Sequence, residues 1–272
     1  MRALWVDELI LQQRVKPGSL ICKSMRVCEY LCLRHSSAIV SLTKSAIDYL
    51  NHCYPDILSE KLLKVIPTCV DTTRFTPHSS KVQKPIIFGT VGTVLSSWFR
   101  LDLLRQFYLT AFSLDNSIYF EVITKDDPER IKSLLQLPDT LFDRISFRSA
   151  LPTHVPKLLE RHSCQVMFFQ PGTSKLGSCP TRLGEALASG QPVLINSGIG
   201  DCDDIIRSNH AGIVLAEPDD MKLAVMRLFA LMDLPDTAFN CRSTALHFFS
   251  LSNGISSYDN LYNHIFSSST PL

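Results

Sequence analysis

Residues 179–193 read Cys179-Pro180-Thr181-Arg182-Leu183-Gly184-Glu185-Ala186-Leu187-Ala188-Ser189-Gly190-Gln191-Pro192-Val193, and the fold is decided here. Pro180 suits the first turn of a helix, because its missing N–H would be unpaired there. Leu183, Ala186 and Leu187 recur at helical spacing and turn toward a core, while Thr181, Arg182 and Glu185 share the opposite edge. The helix is predicted over Pro180 to Ser189, with a strand over Pro192 to Asn196 behind it. In front lies a loop, Pro171-Gly172-Thr173-Ser174-Lys175-Leu176-Gly177-Ser178, that runs into the helix start. The free N–H groups of that first turn, with the Ser178 and Thr181 hydroxyls, make an anion site backed by the helix dipole. Arg182 adds a permanent charge able to grip a diphosphate through two N–H groups. Glu185, one turn further on, is placed to accept hydrogen bonds from ribose hydroxyls. The competing reading is a solvated i,i+3 ion pair of Arg182 and Glu185 on an ordinary helix.

The same alternation extends on both sides. Strands are predicted over Pro85 to Val91, Ser117 to Thr124, Arg144 to Arg148, Gln165 to Phe169 and Gly212 to Ala216. Helices are predicted between them, over Arg100 to Phe112, Pro128 to Leu135, Val155 to Arg161 and Asp203 to Ser208. Three helical segments, 218–232, 236–249 and 253–266, finish the chain. Such alternation makes an α/β protein with a doubly wound parallel sheet, and ligands then bind at the carboxyl ends of the strands. Two further loops fall there. Phe88-Gly89-Thr90-Val91-Gly92-Thr93 is either a phosphate-approaching loop or a plain tight turn. Asn196 to Asp204 repeats the glycine-rich architecture, and its acids are expected to favour the start of the helix that follows them.

The first 80 residues hold helical spacing from Pro17 to Ser36, a short strand over Ala38 to Leu42, a helix capped by Thr43 and an extended piece at Lys64 to Pro67. That is about half of a doubly wound sheet, and it reads as the tail end of a larger domain. Thr76 to Lys81 is the candidate linker. The expected division is 1–80, a remnant of an N-terminal domain; 81–252, the C-terminal ligand domain; and 253–272, a helix returning toward the N-terminal side, with a tail.

Bulk properties exclude several classes. With a net charge of +1 and 19% charged residues, nothing draws the whole chain to nucleic acid. Nine cysteines form no C-x-x-C pair and are expected to be reduced and mostly buried. Eight histidines show no metal-ligand spacing. Asp7 and Glu8 interrupt the N-terminus before any apolar core, so a signal peptide is not expected, and no run approaches the ~20 apolar residues of a membrane span.

Beyond these readings, the chain resembles family 4 retaining glycosyltransferases. Val65-Ile66-Pro67-Thr68-Cys69-Val70-Asp71-Thr72-Thr73-Arg74-Phe75 is similar to that family's interdomain signature V-I-P-N-G-V-D-x-x-x-F, and Pro180 to Val193 to its donor-site helix, E-A-x-A-x-G-x-P-V. Phe88 to Phe99 stands where the family has its phosphate loop, and Asp7-Glu8 and Arg26-x-x-Glu29 fit late segments of its first domain. The resemblance implies the GT-B architecture, with a Rossmann-like C-terminal domain and a partial Rossmann-like N-terminal one. It implies transfer of a sugar, with retention, from a nucleoside-diphosphate sugar to a glycan or lipid-linked acceptor. No metal and no cofactor are implied, since the nucleotide sugar is a substrate.

By the resemblance Glu185 binds the ribose. Thr181, Arg182 and the backbone at Gly177 and Ser178 hold the diphosphate, with Gly92 and Thr93 opposite. The Ile145 to Arg148 strand end, Arg148 included, borders the base. Three departures stand out. Gly177 replaces the first acid of the family's E-x7-E, and Thr93 and a residue near Trp98 replace its Arg and Lys, leaving Arg100, Lys175 or Arg182 to supply charge. The chain is also about 150 residues shorter than the family's pattern, a domain's worth, so it reads as N-terminally truncated. The alternatives are a catalytically incomplete nucleotide-sugar-binding module, or half of a split enzyme, and behind them a nucleotide-sugar epimerase, for which no acid/base set is found. A cytoplasmic location is expected. Arg14, Lys16, Lys23, Arg26 and Arg34 offer either a peripheral contact with the inner membrane face or a solvated helix face.

Overall fold

The computed structural model describes residues 4–77 and 85–268. The linker proposed at Thr76 to Lys81 lies outside the described residues from His78 onward.

The first half contains α1 (Trp5–Leu11), α2 (Leu20–His35), β1 (Ala38–Ser41), α3 (Lys44–Cys53), α4 (Pro55–Leu58) and β2 (Leu62–Val65). Capping explains where the longer helices begin. The Ser19 hydroxyl accepts the Cys22 N–H, and the Thr43 hydroxyl accepts the Ala46 N–H. β1 and β2 pair in parallel, from Ala38 opposite Leu62 to Ser41 opposite Val65. Their small core is built on Leu4, Ile39, Leu50 and Leu58. It leaves α2 poorly covered, with Leu20 82% exposed and only Cys22 and Leu33 buried. Arg26 is not displayed with the other cations of this region. It pairs with Asp7 at 2.7 Å and Glu29 at 2.8 Å, which holds its pKa above the usual guanidinium value.

The second half runs β3 (Ile87–Val91), α5 (Leu101–Leu114), β4 (Tyr119–Ile123), α6 (Pro128–Leu135), α7 (Asp139–Phe142), β5 (Ile145–Arg148), α8 (Val155–Leu159), β6 (Cys164–Met167), α9 (Thr181–Ala188), β7 (Val193–Asn196), α10 (Cys202–Ser208) and β8 (Gly212–Leu215). Then come α11 (Met221–Met232), α12 (Thr237–Thr244) and α13 (Leu251–Ser268). The strands form one parallel sheet in the order β5-β4-β3-β6-β7-β8. This is the Rossmann order, and its direction reverses between β3 and β6, where a crevice opens. β6 and β7 are buried throughout, as parallel strands covered on both faces must be. One face packs under α5, α6 and α11 around Phe88, Phe107 and Phe120, the other under α9, α10 and α12 around Leu187, Ile195 and Ile206.

A buried polar chain crosses this core. Glu121 Oε2 lies 2.9 Å from His162 Nε2, and Gln165 Nε2 donates to His162 Nδ1 at 2.7 Å and to Gln191 Oε1 at 2.9 Å. His162 therefore donates from Nε2 and accepts at Nδ1. Gly89 in β3 makes room for it, since a Cβ there would overlap the imidazole. Hydrogen bonds from His162 and Arg148 outweigh burial and hold the Glu121 carboxyl down at about 2.

The halves are stitched where the chain crosses between them. The Val70 N–H donates to the Phe249 carbonyl at 2.7 Å, and the Leu251 N–H to the Val70 carbonyl at 3.0 Å. Val70 and Phe75, within the segment ascribed to 1–80, are buried in the C-terminal core. Arg242 on α12 holds that segment by donating to the carbonyls of Thr72 and Phe75. α13 then starts against it, with Gly254 lying on the Cys69 thiol. The expectation of mostly buried cysteines is met by Cys22, Cys164, Cys202 and Cys241 but not by Cys28, Cys32 and Cys53, which are exposed on the thinly covered first half. No helix among the described residues is long and apolar enough to cross a membrane.

Candidate functional site

Two cavities meet over the β3/β6 crevice. The larger, 1070 Å³, lies between the halves, with Val40 and Ile66 on one side, Ser178, Thr181 and Arg182 on another, and Ile255 and Tyr258 of α13 closing it. The smaller, 260 Å³, sits over the ends of β3 and β4 and is lined by Gly92, Lys125, Pro152 and Glu185. Thr93 and Arg182 line both, so these two side chains stand at the junction.

Gly92 is required there on two counts. Its φ of +105° belongs to the left-handed region that a side chain disfavours, and a Cβ would overlap the Arg182 guanidinium. The glycine is thus more than a tight turn, because it lets α9 lay its arginine on the backbone after β3. Asp126, just past β4, shapes the same loop by accepting the Val94 and Leu95 N–H groups at 2.6 and 2.9 Å.

Arg182 and Glu185 do not form the ion pair that their spacing allowed. Neither side chain makes a hydrogen bond or salt bridge among the described residues, although both are half-buried. Burial pushes the Arg182 guanidinium pKa down against the pull of Glu185 and Asp126. Burial likewise pushes the Glu185 carboxyl up against Arg182 and Arg74. Two charges are held partly out of water without direct partners, at the mouth of a crevice and beside an open helix N-terminus. Two such charges facing a crevice make this a candidate ligand site.

The other expected residues divide. Gly92, Thr93, Ser178, Thr181, Arg182 and Glu185 are brought together on the walls of the two cavities. Lys175 reaches the larger cavity, but its ammonium is already engaged by Glu8 of α1 at 3.1 Å. Gly177 is buried in the turn beneath the loop and lines neither cavity. Arg148 is turned back over the sheet, its Nε donating to Glu121 at 2.7 Å, and lines neither. Ala150 and Pro152 stand at the rim of the smaller cavity in its place.

The third loop has the expected glycine-containing strand-to-helix form, from β7 into α10 with Asp203 and Asp204 in its first turn, and it supports the second loop. Asn196 clamps the Phe169 N–H and carbonyl, and the Gly200 N–H donates to the Lys175 carbonyl at 2.8 Å. Asp201 makes no side-chain cap on α10. Its carboxylate instead accepts the Lys44 and Ser45 N–H groups at 2.6 and 2.9 Å, capping α3 from across the interface. Sequence reasoning missed Lys125 on the wall of the smaller cavity, and Arg74, whose guanidinium reaches the Pro152 carbonyl at 3.4 Å. Arg74 lies within the interdomain signature, where it carried no assigned role; Lys125 had no local signal beyond ending a strand.

No family model and no curated protein sequence matches the chain. Solved structures do. S. aureus TarM is 19% identical over 86% of this chain and 46% of its own, with a TM-score of 0.64. Sucrose-phosphate synthase from Thermosynechococcus elongatus is 15% identical over 96% and 66%, with a TM-score of 0.69. The pneumococcal O-GlcNAc transferase GtfA, solved with UDP and GlcNAc, is 13% identical over 87% and 47%, with a TM-score of 0.64. These neighbours are glycosyltransferases of GT-B type, and the fold of this chain is Rossmann-like GT-B. The chain spans about half the length of TarM and GtfA.

Proposed function

We propose that the chain carries the donor site of a retaining glycosyltransferase of family 4 type, which moves a sugar from a nucleoside-diphosphate sugar to a glycan or lipid-linked acceptor. The observation that carries this reading is the junction at Thr93 and Arg182. A nucleotide sugar is a nucleoside and a sugar joined by a diphosphate, and here a smaller and a larger cavity are joined at an unpaired arginine and a helix N-terminus. In this reading the nucleoside lies over β3 and β4, with Glu185 accepting from the ribose hydroxyls and Lys125 and Pro152 near the base. The diphosphate lies on the first turn of α9, with Arg182, Thr181 and Ser178 around it. The sugar then projects into the larger cavity. Negative charge grows on the diphosphate as the sugar–oxygen bond breaks, and fixed N–H groups and Arg182 stabilise it more in the transition state than in the ground state.

A second reading, a nucleotide-sugar-binding module that does not turn over alone, is favoured by the exposure of α2, where Leu20 and Ile21 stand open. Titration calorimetry with UDP, followed by incubation with UDP-glucose and NMR of the released or transferred anomer, separates the cases. Binding with release of the α-anomer supports transfer with retention. Binding without turnover supports the module. No binding at millimolar UDP removes both.

A further inference from the structure

Trp5 and Trp98 are the only tryptophans of the chain. Trp98 follows the loop after β3, is 47% exposed and forms part of the wall of the 1070 Å³ cavity. It is nevertheless held in place. Its carbonyl accepts the Gln170 N–H at 2.7 Å, and the Lys175 ammonium stands 5.4 Å from the ring centroid. That ammonium is itself fixed by Glu8, in an ion pair whose side chains are only 8% and 14% exposed. A large indole kept open to a cavity by a nearly buried ion pair is preorganised for contact and is not packed into the core.

α13 brings complementary groups to the same cavity. Tyr258 and Asp259 both line it, and the Asp259 carboxylate makes no ion pair or hydrogen bond among the described residues. An aromatic surface with an unpaired carboxylate is the chemistry that recognises a pyranose. The ring's apolar C–H face packs on the indole, while its rim hydroxyls donate to the carboxylate. Trp98 and Asp259 line the larger cavity and not the smaller one, so neither belongs to the proposed nucleoside pocket.

We infer that Trp98 and Asp259 form a pyranose subsite in the larger cavity, which takes either the sugar carried by the nucleotide or the ring that accepts it. The inference rests on the proposed donor site, and its test keeps the two apart. Trp5→Phe, a change at a 63% exposed position on α1, leaves Trp98 as the sole indole. Its fluorescence and acrylamide quenching are then followed with UDP, UDP-glucose, UDP-N-acetylglucosamine and methyl α-D-glucopyranoside, with calorimetry of UDP alongside. A pyranose is expected to shift Trp98 emission to the blue and protect it from acrylamide, whereas UDP alone is not. A response to the nucleotide sugars identifies the donor's ring, and a response to the glycoside in the presence of UDP identifies an acceptor's. In the same background Asp259→Asn should weaken the titration. In the parent chain Trp98→Ala should weaken pyranose binding by about tenfold and Trp98→Phe much less, with UDP affinity unchanged in both. UDP binding with no Trp98 response to any of these pyranoses overturns the subsite. Absence of UDP binding overturns the donor site beneath it.

Discussion

Arg182→Met tests the donor site most directly, because binding and stability should move in opposite directions. Methionine keeps most of the side-chain stem and removes the guanidinium, which lies over Gly92 and makes no direct polar contact among the described residues. Burial lowers the Arg182 pKa, so at neutral pH the folded chain holds a charge that the unfolded chain holds more comfortably. Removing that charge should leave the denaturant midpoint unchanged or raise it. A charge-assisted hydrogen bond contributes about 1.5–3 kcal/mol, so loss of the arginine's grip on a diphosphate should weaken UDP about 10- to 150-fold. Titration calorimetry measures this, and the gap between parent and variant should narrow as salt is added. The reasoning is refuted if UDP affinity is unchanged, or if affinity and stability fall together, which would make Arg182 a structural residue.

Three other perturbations follow from the same geometry. Gly92→Ala forces a side chain onto a residue at φ +105° and into the Arg182 guanidinium; it should cost about 1–3 kcal/mol in urea unfolding and abolish UDP binding. Asp201→Ala frees two N–H groups at the start of α3 and should cost about 1–2 kcal/mol, with amide exchange rising at Lys44 and Ser45 while β7 stays protected. Glu121 is held at about 2 in the fold against 4.5 as its ordinary value, so its stabilisation is complete above pH 4.5 and lost as pH falls toward 2. A shift of that size corresponds to about 3 kcal/mol at neutral pH, and the stability gap between parent and Glu121→Gln should shrink over that acid window; a gap independent of pH would remove the carboxylate from the account.

Much of the fold was legible because strands and helices declare themselves locally. The runs at Ile87–Val91, Tyr119–Ile123 and Val193–Asn196 are rich in aromatic and β-branched residues over the length of a strand, and α9 shows its buried and open edges within two turns. α1 was not read. From the residues alone its Asp7 and Glu8 only interrupt an apolar stretch, and the family resemblance gives them a place but no partners; in the fold they are the acids that bind Arg26 and Lys175. The pairing of Arg148 with Glu121, in place of a cavity wall, is not legible for a similar reason. A strand end locates a backbone, but where a long guanidinium points depends on which carboxylate lies within its reach, and Glu121 belongs to the neighbouring strand.

The segment 179–193 shows where the division falls. Pro180, the i,i+3 spacing of Arg182 and Glu185 and the closing Gly190 are relations within a few residues, so the helix, its open N-terminus and its two charges follow from sequence alone. Whether those charges neutralise one another, and what they face, is settled by residues far away. Gly92 receives the arginine, Glu8 takes Lys175 from 167 positions off, and Asp201 caps a helix 156 positions upstream. Pairings of this kind depend on the sheet's strand order and the crossing at Val70, which bring distant loops to one crevice. No local pattern records them, because the energy that selects each partner arises only once the backbone has placed it within hydrogen-bonding distance.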